Sequence, residues 1–284
     1  MDILENLDPN LKLQRYVDFA KFVDFIDTKK LFLSRVSCFE DGFEGALTHS
    51  FAIITSGQAN LLAQALCSWP SANELTQEET REQKAYQDRL TSEYENLTYS
   101  TVFGSYSRDE IEHETVYKQH RHWVDVSCWH ANETESMAMW KIYGGSTNAV
   151  CIVTDVGRLS KAVQPNNKHK FVLSKVHYIS YEDSNFIEEH KLAPLLHKSQ
   201  FYSFENEVRL LAYDPTVDLR DNRDDMSRGT SVNINLDCLI QEIRVAHDAP
   251  DWFFKLVCNV TNKYSINAPV IRSEMSKPAF FGFS

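Results

Sequence analysis

The sequence predicts one α+β domain carrying a helical insertion. Three observations lead there. Runs with strand alternation and runs with helical spacing both recur along the chain. No internal repeat or low-complexity linker divides it. One stretch, residues 55–120, reads as helical and mostly acidic, and is taken as the insertion within a single domain spanning 1–284. A chain of 284 residues suits one large domain or two small ones.

The elements follow in order. Leu11, Leu13, Arg15 and Val17 alternate with Lys12, Gln14 and Tyr16, which predicts a strand. Asp18 is placed to cap the next helix, whose buried stripe is Phe19, Phe22, Val23 and Ile26. Lys30–Ser34 reads as a short strand. Phe39–Gly45 is a turn-rich loop with two glycines. Ala59–Cys67 is rich in helix formers, and Thr76-x-x-Glu79 is a capping-box pattern. Tyr86, Leu90, Tyr94 and Leu97 repeat at helical spacing.

Trp123–Trp129 predicts a strand, followed by a helix capped by Asn132 and stopped at Gly144-Gly145. Met137 and Trp140 read there as core. Ala149–Val153 is a nearly continuous apolar run, hence a buried strand. Val172–Tyr181 reads as a strand and Ser184–Lys198 as a helix interrupted by Pro194. Residues 214–229 form a charged, solvated loop. Strands at Val232–Leu236 and Leu239–Ala246, a helix opened by Asp248 and Pro250, and a short strand near Val270 complete the chain.

The most informative stretch is residues 199–213. A strand over Phe204–Tyr213 turns Glu205, Glu207, Arg209 and Leu211 to one face. Phe204, Val208, Leu210 and Ala212 then face the core. Side chains two apart sit roughly 6.5–7 Å apart along a strand. Two carboxylates thus stand side by side with a guanidinium beyond them. An ordinary solvated strand face is the plainer reading of the same residues.

Composition excludes several classes. Apolar residues make up 43% and charged residues 24%, as in ordinary soluble proteins. The net charge of −11 argues against non-specific coating of nucleic acid. Six scattered cysteines with no C-x-x-C spacing suit reduced thiols in a cytoplasmic protein. No run approaches ~18 apolar residues, so no membrane span is expected. The dinucleotide-fold and phosphate-loop glycine fingerprints and the G-x-S-x-G elbow are absent. His120, His122 and His130 lack the spacing of a zinc site, so no metal is expected. Cys128 with His130 gives a still weaker nucleophile pair, with no sign of a lowered thiol pKa.

Four stretches carry a resemblance. They are Leu13-Gln-Arg-Tyr16 with Leu31-Phe-Leu-Ser34; Phe39-Glu-Asp-Gly-Phe-Glu44; Ser127-Cys-Trp129 with Met139-Trp-Lys-Ile-Tyr143 and Ala149-Val-Cys-Ile152; and Phe204-Glu-Asn-Glu-Val-Arg209. Together they resemble a microbial domain-of-unknown-function family (the 2971 family). Its pattern runs L-x-R-Y, F-N-D-P-F-E, C-F-S…M-W-x-x-Y and Y-E-x-E-W-R. Here Glu40 and Gly42 replace Asn and Pro, Trp129-His130 replace Phe-Ser, and Val208 replaces Trp. A serine at the His130 position would be placed to touch a ligand ribose.

More distantly, the order resembles ADP-ribosyltransferases. That resemblance implies a mixed or antiparallel β core with flanking helices, and NAD as substrate without a metal. It implies Glu207 as the catalytic carboxylate and Glu205 as its helper. Arg15, Tyr16, Ser127, Trp140, Tyr143 and Arg209 become the nucleotide-binding candidates. The acceptor of ADP-ribose, protein or nucleic acid, stays open, and no membrane partner is implied. A toxin or phage-defence effector would suit such chemistry. Two alternatives stand beside it: a non-catalytic nucleotide-binding or sensing module on the same fold, and an interaction protein docking through its acidic helical insertion.

Overall fold

The computed structural model describes residues 1–68, 75–144, 147–182, 190–224 and 226–277. Branched and aromatic runs supply its strands. The first five are β1 (Asp2–Ile3), β2 (Lys12–Asp18), β3 (Lys30–Arg35), β4 (Thr98–Thr101) and β5 (Gly104–Ser107). Next come β6 (Val124–Ala131), β7 (Ala149–Asp155), β8 (Lys170–Lys175), β9 (His177–Ile179) and β10 (His197–Ser199). The last are β11 (Glu207–Tyr213), β12 (Gly229–Asn233), β13 (Glu242–Val245) and β14 (Val270–Arg272). The main sheet runs β1-β8-β11-β6-β2-β7-β13-β14, with β3 beside β6 and β12 beside β3. It is mixed: β1 with β8 and β13 with β14 are parallel, and the other ladders antiparallel. The fold class is therefore α+β, as expected.

Period-two alternation sends β11 to two cores. Val208, Leu210 and Ala212 join Leu13, Trp129 and Ile152, covered by Phe22 and Ile26 of the Phe19–Thr28 helix and by Phe253 and Val257 of the Asp251–Lys263 helix. Leu211 and Tyr213 join Val124, Val126 and Val172 on the other face. That face is covered by Tyr99, Phe103 and Tyr106 of the β4–β5 hairpin and by Val116 of the His113–Trp123 helix. The stretch read as helical throughout thus contains a hairpin, and residues 98–116 supply core. The helices Gln58–Cys67 and Gln77–Glu95 lie within it, the second with its Thr76/Glu79 capping box formed.

The feature that positions the site is a break beside β6. On one side β6 pairs continuously with β11. On the other it pairs with β2 only at Gln14↔His130 and Leu13↔Ala131, and with β3 only at Ser34↔Val126 and Arg35↔Asp125. Between these contacts Ser127, Cys128 and Trp129 have no ladder partner on that side among the described residues. The sheet opens there, and side chains from both of its faces reach one space.

Several local expectations are corrected. Strand β11 begins at Glu207, because Gln200–Glu205 is a 3₁₀ turn and Asn206 is left-handed at φ 39°. Phe204 consequently faces outward, 44% exposed. Ser136, not Asn132, caps the helix after β6, which spans Met137–Met139 and passes into a π turn at Trp140–Gly144. A Cβ on Gly144 would stand 2.9 Å from that of Ala149, so this turn packs against β7 only with glycine. Met137 is exposed whereas Trp140 is buried. The expected Ser184–Lys198 helix falls partly outside the described residues. Its described end is a 3₁₀ turn, Ala193–Leu196, followed by strand β10. Here Pro194 sets the turn instead of interrupting a helix. The charged 214–229 loop is anchored, not simply solvated: Leu219 is buried and Arg223 pairs with buried Asp125 at 2.7 Å.

Candidate active site

The break beside β6 holds a cavity of about 340 Å³. Its walls include Gln14, Arg15 and Tyr16 from β2, Ser127 to His130 from β6, Tyr143 from the π turn, and Glu207 from the start of β11. A second cavity of about 210 Å³ shares Arg15, Val17, Lys21, Phe32 and Trp129 with it. Both volumes lie at or near the lower end for ligand pockets, roughly 300–1,000 Å³. The register explains the convergence: Gln14, His130 and Glu207 are consecutive ladder partners across β2, β6 and β11.

Arg15 is the cation of this cavity. Its Nη1 donates to Ser127 Oγ at 2.9 Å, and its guanidinium lies 5.7 Å from the centre of the Trp129 ring. It has no carboxylate partner among the described residues. Burial lowers its pKa to about 10, which leaves it charged at neutral pH. A guanidinium without an ion-pair partner, in a cavity of this size, suits an anionic group. Lys21 also lines both cavities, with its ammonium paired to Asp18 at 3.0 Å.

Glu207 belongs to a buried charge cluster. Arg209 Nε donates to Glu207 Oε2 at 2.9 Å, and Arg209 Nη2 lies 2.7 Å from Glu44 Oε2. Arg209 Nη1 donates to the Leu195 carbonyl. Lys198 pairs with Glu205 and lies 3.2 Å from Glu44 and 3.7 Å from Glu207. All five side chains are buried. Three carboxylates thus face two cations. Burial pushes Glu207 up, but Arg209 and Lys198 outweigh it and hold the carboxyl below its ordinary value. Burial raises Glu205, Lys198 offsets this only in part, and its carboxyl ends above the ordinary value. The two adjacent carboxylates are thus shifted in opposite directions by the same pair of cations and by burial.

The αL turn at Asn206 brings both glutamates to Lys198, which a continuous strand would not do. The Asn206 side chain donates to the Ala131 carbonyl, and Ala131 N–H donates to the Asn206 carbonyl at 2.8 Å. Asn tolerates the left-handed conformation better than other non-glycine residues.

The candidates from sequence are distributed as follows. Arg15, Tyr16, Ser127, Tyr143 and Glu207 line the one cavity. Tyr143 donates to Glu205 Oε1 at 2.7 Å and so links Glu205 to that wall. Trp140 lies behind Tyr16, edge to face at 4.9 Å, and donates to Glu135; Arg209 is fully buried. Neither lines the cavity. Lys198, Glu44 and Tyr178, whose hydroxyl accepts from Glu207 N–H at 2.9 Å, join the site only through the tertiary structure. Only the Phe39–Glu44 motif pointed toward one of them. Cys128 lines the cavity, but burial and nearby Glu207 raise its thiol well above the ordinary value, so it is no ready nucleophile. His120 packs on Phe103 and His122 bonds Arg35 and Ser37. Among the described residues no cluster of His, Cys, Asp or Glu is arranged to hold a metal, and no helix is long and apolar enough to cross a membrane.

Residues 139–210 match the model of a family described as "Protein of unknown function (DUF2971)". The resemblance read from the Met139–Tyr143, Ala149–Ile152 and Phe204–Arg209 motifs holds over that stretch. No curated protein gives a significant match. Two solved structures of DarT from Thermus sp. 2.9 align with the chain at 9% identity. The one in complex with ADP-ribosylated ssDNA has a TM-score of 0.36 and covers 94% of this chain and 95% of that chain. The one in complex with carba-NAD+ has a TM-score of 0.35 and covers 94% and 97%.

Proposed function

We propose that the chain is an ADP-ribosyltransferase-like enzyme that cleaves the nicotinamide–ribose bond of NAD and passes ADP-ribose to a protein or nucleic-acid acceptor. The observation that carries this reading is the placement of Arg15, with no carboxylate partner among the described residues, and low-pKa Glu207 on the walls of one cavity. Arg15 pairs with the pyrophosphate. Arg209 holds Glu207 Oε2, Lys198 lies 3.7 Å from Oε1, and the Cys128 thiol also donates to the carboxylate. From the cavity wall that carboxylate faces the ribose. As the C–N bond breaks, its electron pair goes to the nicotinamide nitrogen and positive charge develops on the ribose. A fixed carboxylate stabilises that charge most in the transition state. The acceptor's lone pair then bonds to the ribose carbon. Its proton leaves through Tyr143, which hands its own hydroxyl proton to Glu205, the carboxylate with the raised pKa. The setting we infer for such an activity is that of a toxin or phage-defence effector, as the family resemblance implies.

A second reading follows from the same ion pairs. Arg209 and Lys198 hold the glutamates so fully that the cluster also suits a rigid, non-catalytic nucleotide-binding module. Incubation with NAD and candidate acceptors, with nicotinamide followed by mass spectrometry, separates the two. Nicotinamide release with a mass gain on an acceptor supports the enzyme. NAD binding without release under every acceptor favours the module.

A further inference from the structure

One helix turns its apolar side to solvent. Leu62 and Leu66 of the Gln58–Cys67 helix are 62% and 64% exposed, Leu61 is 40% exposed, and Ile54 of the preceding His49–Thr55 helix is 65% exposed. No residue of either helix is buried. Positions 61, 62, 65 and 66 form one helical face, made of three leucines and exposed Ala65. The face that meets the Gln77–Glu95 helix is polar instead. Gln64 donates to Thr91 at 2.6 Å, Asn60 to Glu93 at 3.2 Å, and Gln87 to Ser68 at 3.2 Å. Leu62 and Leu66 stand two positions out of step with Asn60, Gln64 and Ser68, which is about 200° around a helix. The helix is therefore inverted: hydrogen bonds hold it to its neighbour while its leucines stand in water. Together these side chains leave on the order of 400 Å² of apolar surface, a size at which a patch marks an interaction site.

Charge selects the occupant of this face. Residues 45–73 contain no Asp, Glu, Lys or Arg, so a charged partner segment finds no counter-charge on either helix. The adjoining Gln77–Glu95 helix carries six acidic against three basic residues, which repels an anionic lipid surface. A second copy of the chain meets neither obstacle, because the acidic helix lies on the polar side of Gln58–Cys67, away from the leucines. The stripe also complements itself. About a twofold axis between residues 63 and 64, antiparallel helices set Leu61 against Leu66 of a second copy and Leu62 against its Ala65, large beside small. Two such faces bury roughly 800–1,000 Å², short of the ~1,200 Å² at which stable interfaces begin. We propose that the chain forms a weak, reversible twofold dimer through this leucine stripe. None of these residues lines the cavity, so the contact does not depend on the nucleotide reading.

Sedimentation velocity of the full chain from about 1 to about 100 μM tests this. An interface of this size should give a monomer–dimer equilibrium with its midpoint in that range. Leu62→Ser combined with Leu66→Ser should raise the dissociation constant about tenfold or more. The double variant should melt close to the wild type, since both side chains are exposed. The register has its own check. Leu62→Lys and Ala65→Glu chains should each be monomeric alone and pair when mixed, because position 62 of one copy meets position 65 of the other. A wild type that stays monomeric at about 100 μM overturns the proposal, and so does a double variant that dimerises as tightly as the wild type. A mixture of the two charged chains that stays apart overturns the antiparallel contact. A monomeric wild type that floats with phosphatidylcholine vesicles, and loses this in the double variant, assigns the stripe to a lipid surface instead.

Discussion

Arg209 Nη2 stands 2.7 Å from Glu44 Oε2, joining two residues 165 positions apart in the chain. The same nitrogen lies 2.8 Å from Glu207 Oε2. One buried guanidinium thus ties the loop after β3 to the strand that carries the proposed catalytic carboxylate. Arg209→Met should destabilise the fold by about 3–5 kcal/mol, because it leaves Glu44 and Glu207 buried with a partner removed. A urea midpoint equal to wild type would show that the cluster is not a brace.

Glu207→Gln keeps the shape of the side chain and removes its charge. Nicotinamide release should fall about 10²–10³-fold, on the order of 3–4 kcal/mol of transition-state stabilisation. NAD affinity should change far less, since the charge acts as the bond breaks. Glu207 is only 4% exposed, so the variant should also lose about 1–3 kcal/mol of stability. Single-turnover kinetics on the folded variant check this, and an unchanged rate removes Glu207 from the chemistry.

Arg15→Ala should act the other way round. Losing a charge-assisted contact to pyrophosphate is worth about 1.5–3 kcal/mol, or about 10–100-fold in NAD dissociation constant. The rate at saturating NAD should fall less, and Arg15→Lys should restore part of the affinity but not the fork geometry. Equal NAD affinity in wild type and Arg15→Ala contradicts the anchor role.

Asn206→Val tests the turn that brings the two glutamates to Lys198. A β-branched residue at φ 39° adds about 1–2 kcal/mol of backbone strain, beyond the lost bond to Ala131. Stability should drop and nicotinamide release should drop with it. Thermal melting and turnover measured side by side decide whether the turn serves both.

His120 gives a pH prediction independent of the site. It is 1% exposed, neither ring nitrogen has a hydrogen-bond partner among the described residues, and burial lowers its pKa to about 4. The unfolded chain binds a proton near pH 6.5, which the folded chain refuses until about pH 4. Stability therefore falls as pH drops through that window, by an amount on the order of 3 kcal/mol. His120→Leu should flatten this limb. Urea titrations at pH 7 and pH 4.5 compare the two chains, and an identical acid loss in both would assign it to other groups.

Much of the fold was legible in sequence. Alternation over Lys12–Val17, the apolar run at Ala149–Val153 and the Thr76/Glu79 capping box are local patterns, and local sterics and hydrogen bonding enforce them. The Glu-x-Glu spacing picks out the two carboxylates but puts them on one strand face, which the 3₁₀ turn at Gln200–Glu205 overrules, and the motif resemblance picks out Arg15 and Ser127, which line one cavity with Glu207. What tertiary structure alone decided is how those groups meet. Asn206 leaves the strand because its partner is the Ala131 backbone, and that contact lies 75 residues away. Lys198 and Glu44 enter the cluster through packing of a short strand and a loop, and no spacing rule relates them to Glu207. The cavity exists because β2 and β3 take opposite ends of one edge of β6 and leave its middle open. Ladder register is a property of pairs of strands, so no single stretch of sequence could carry it.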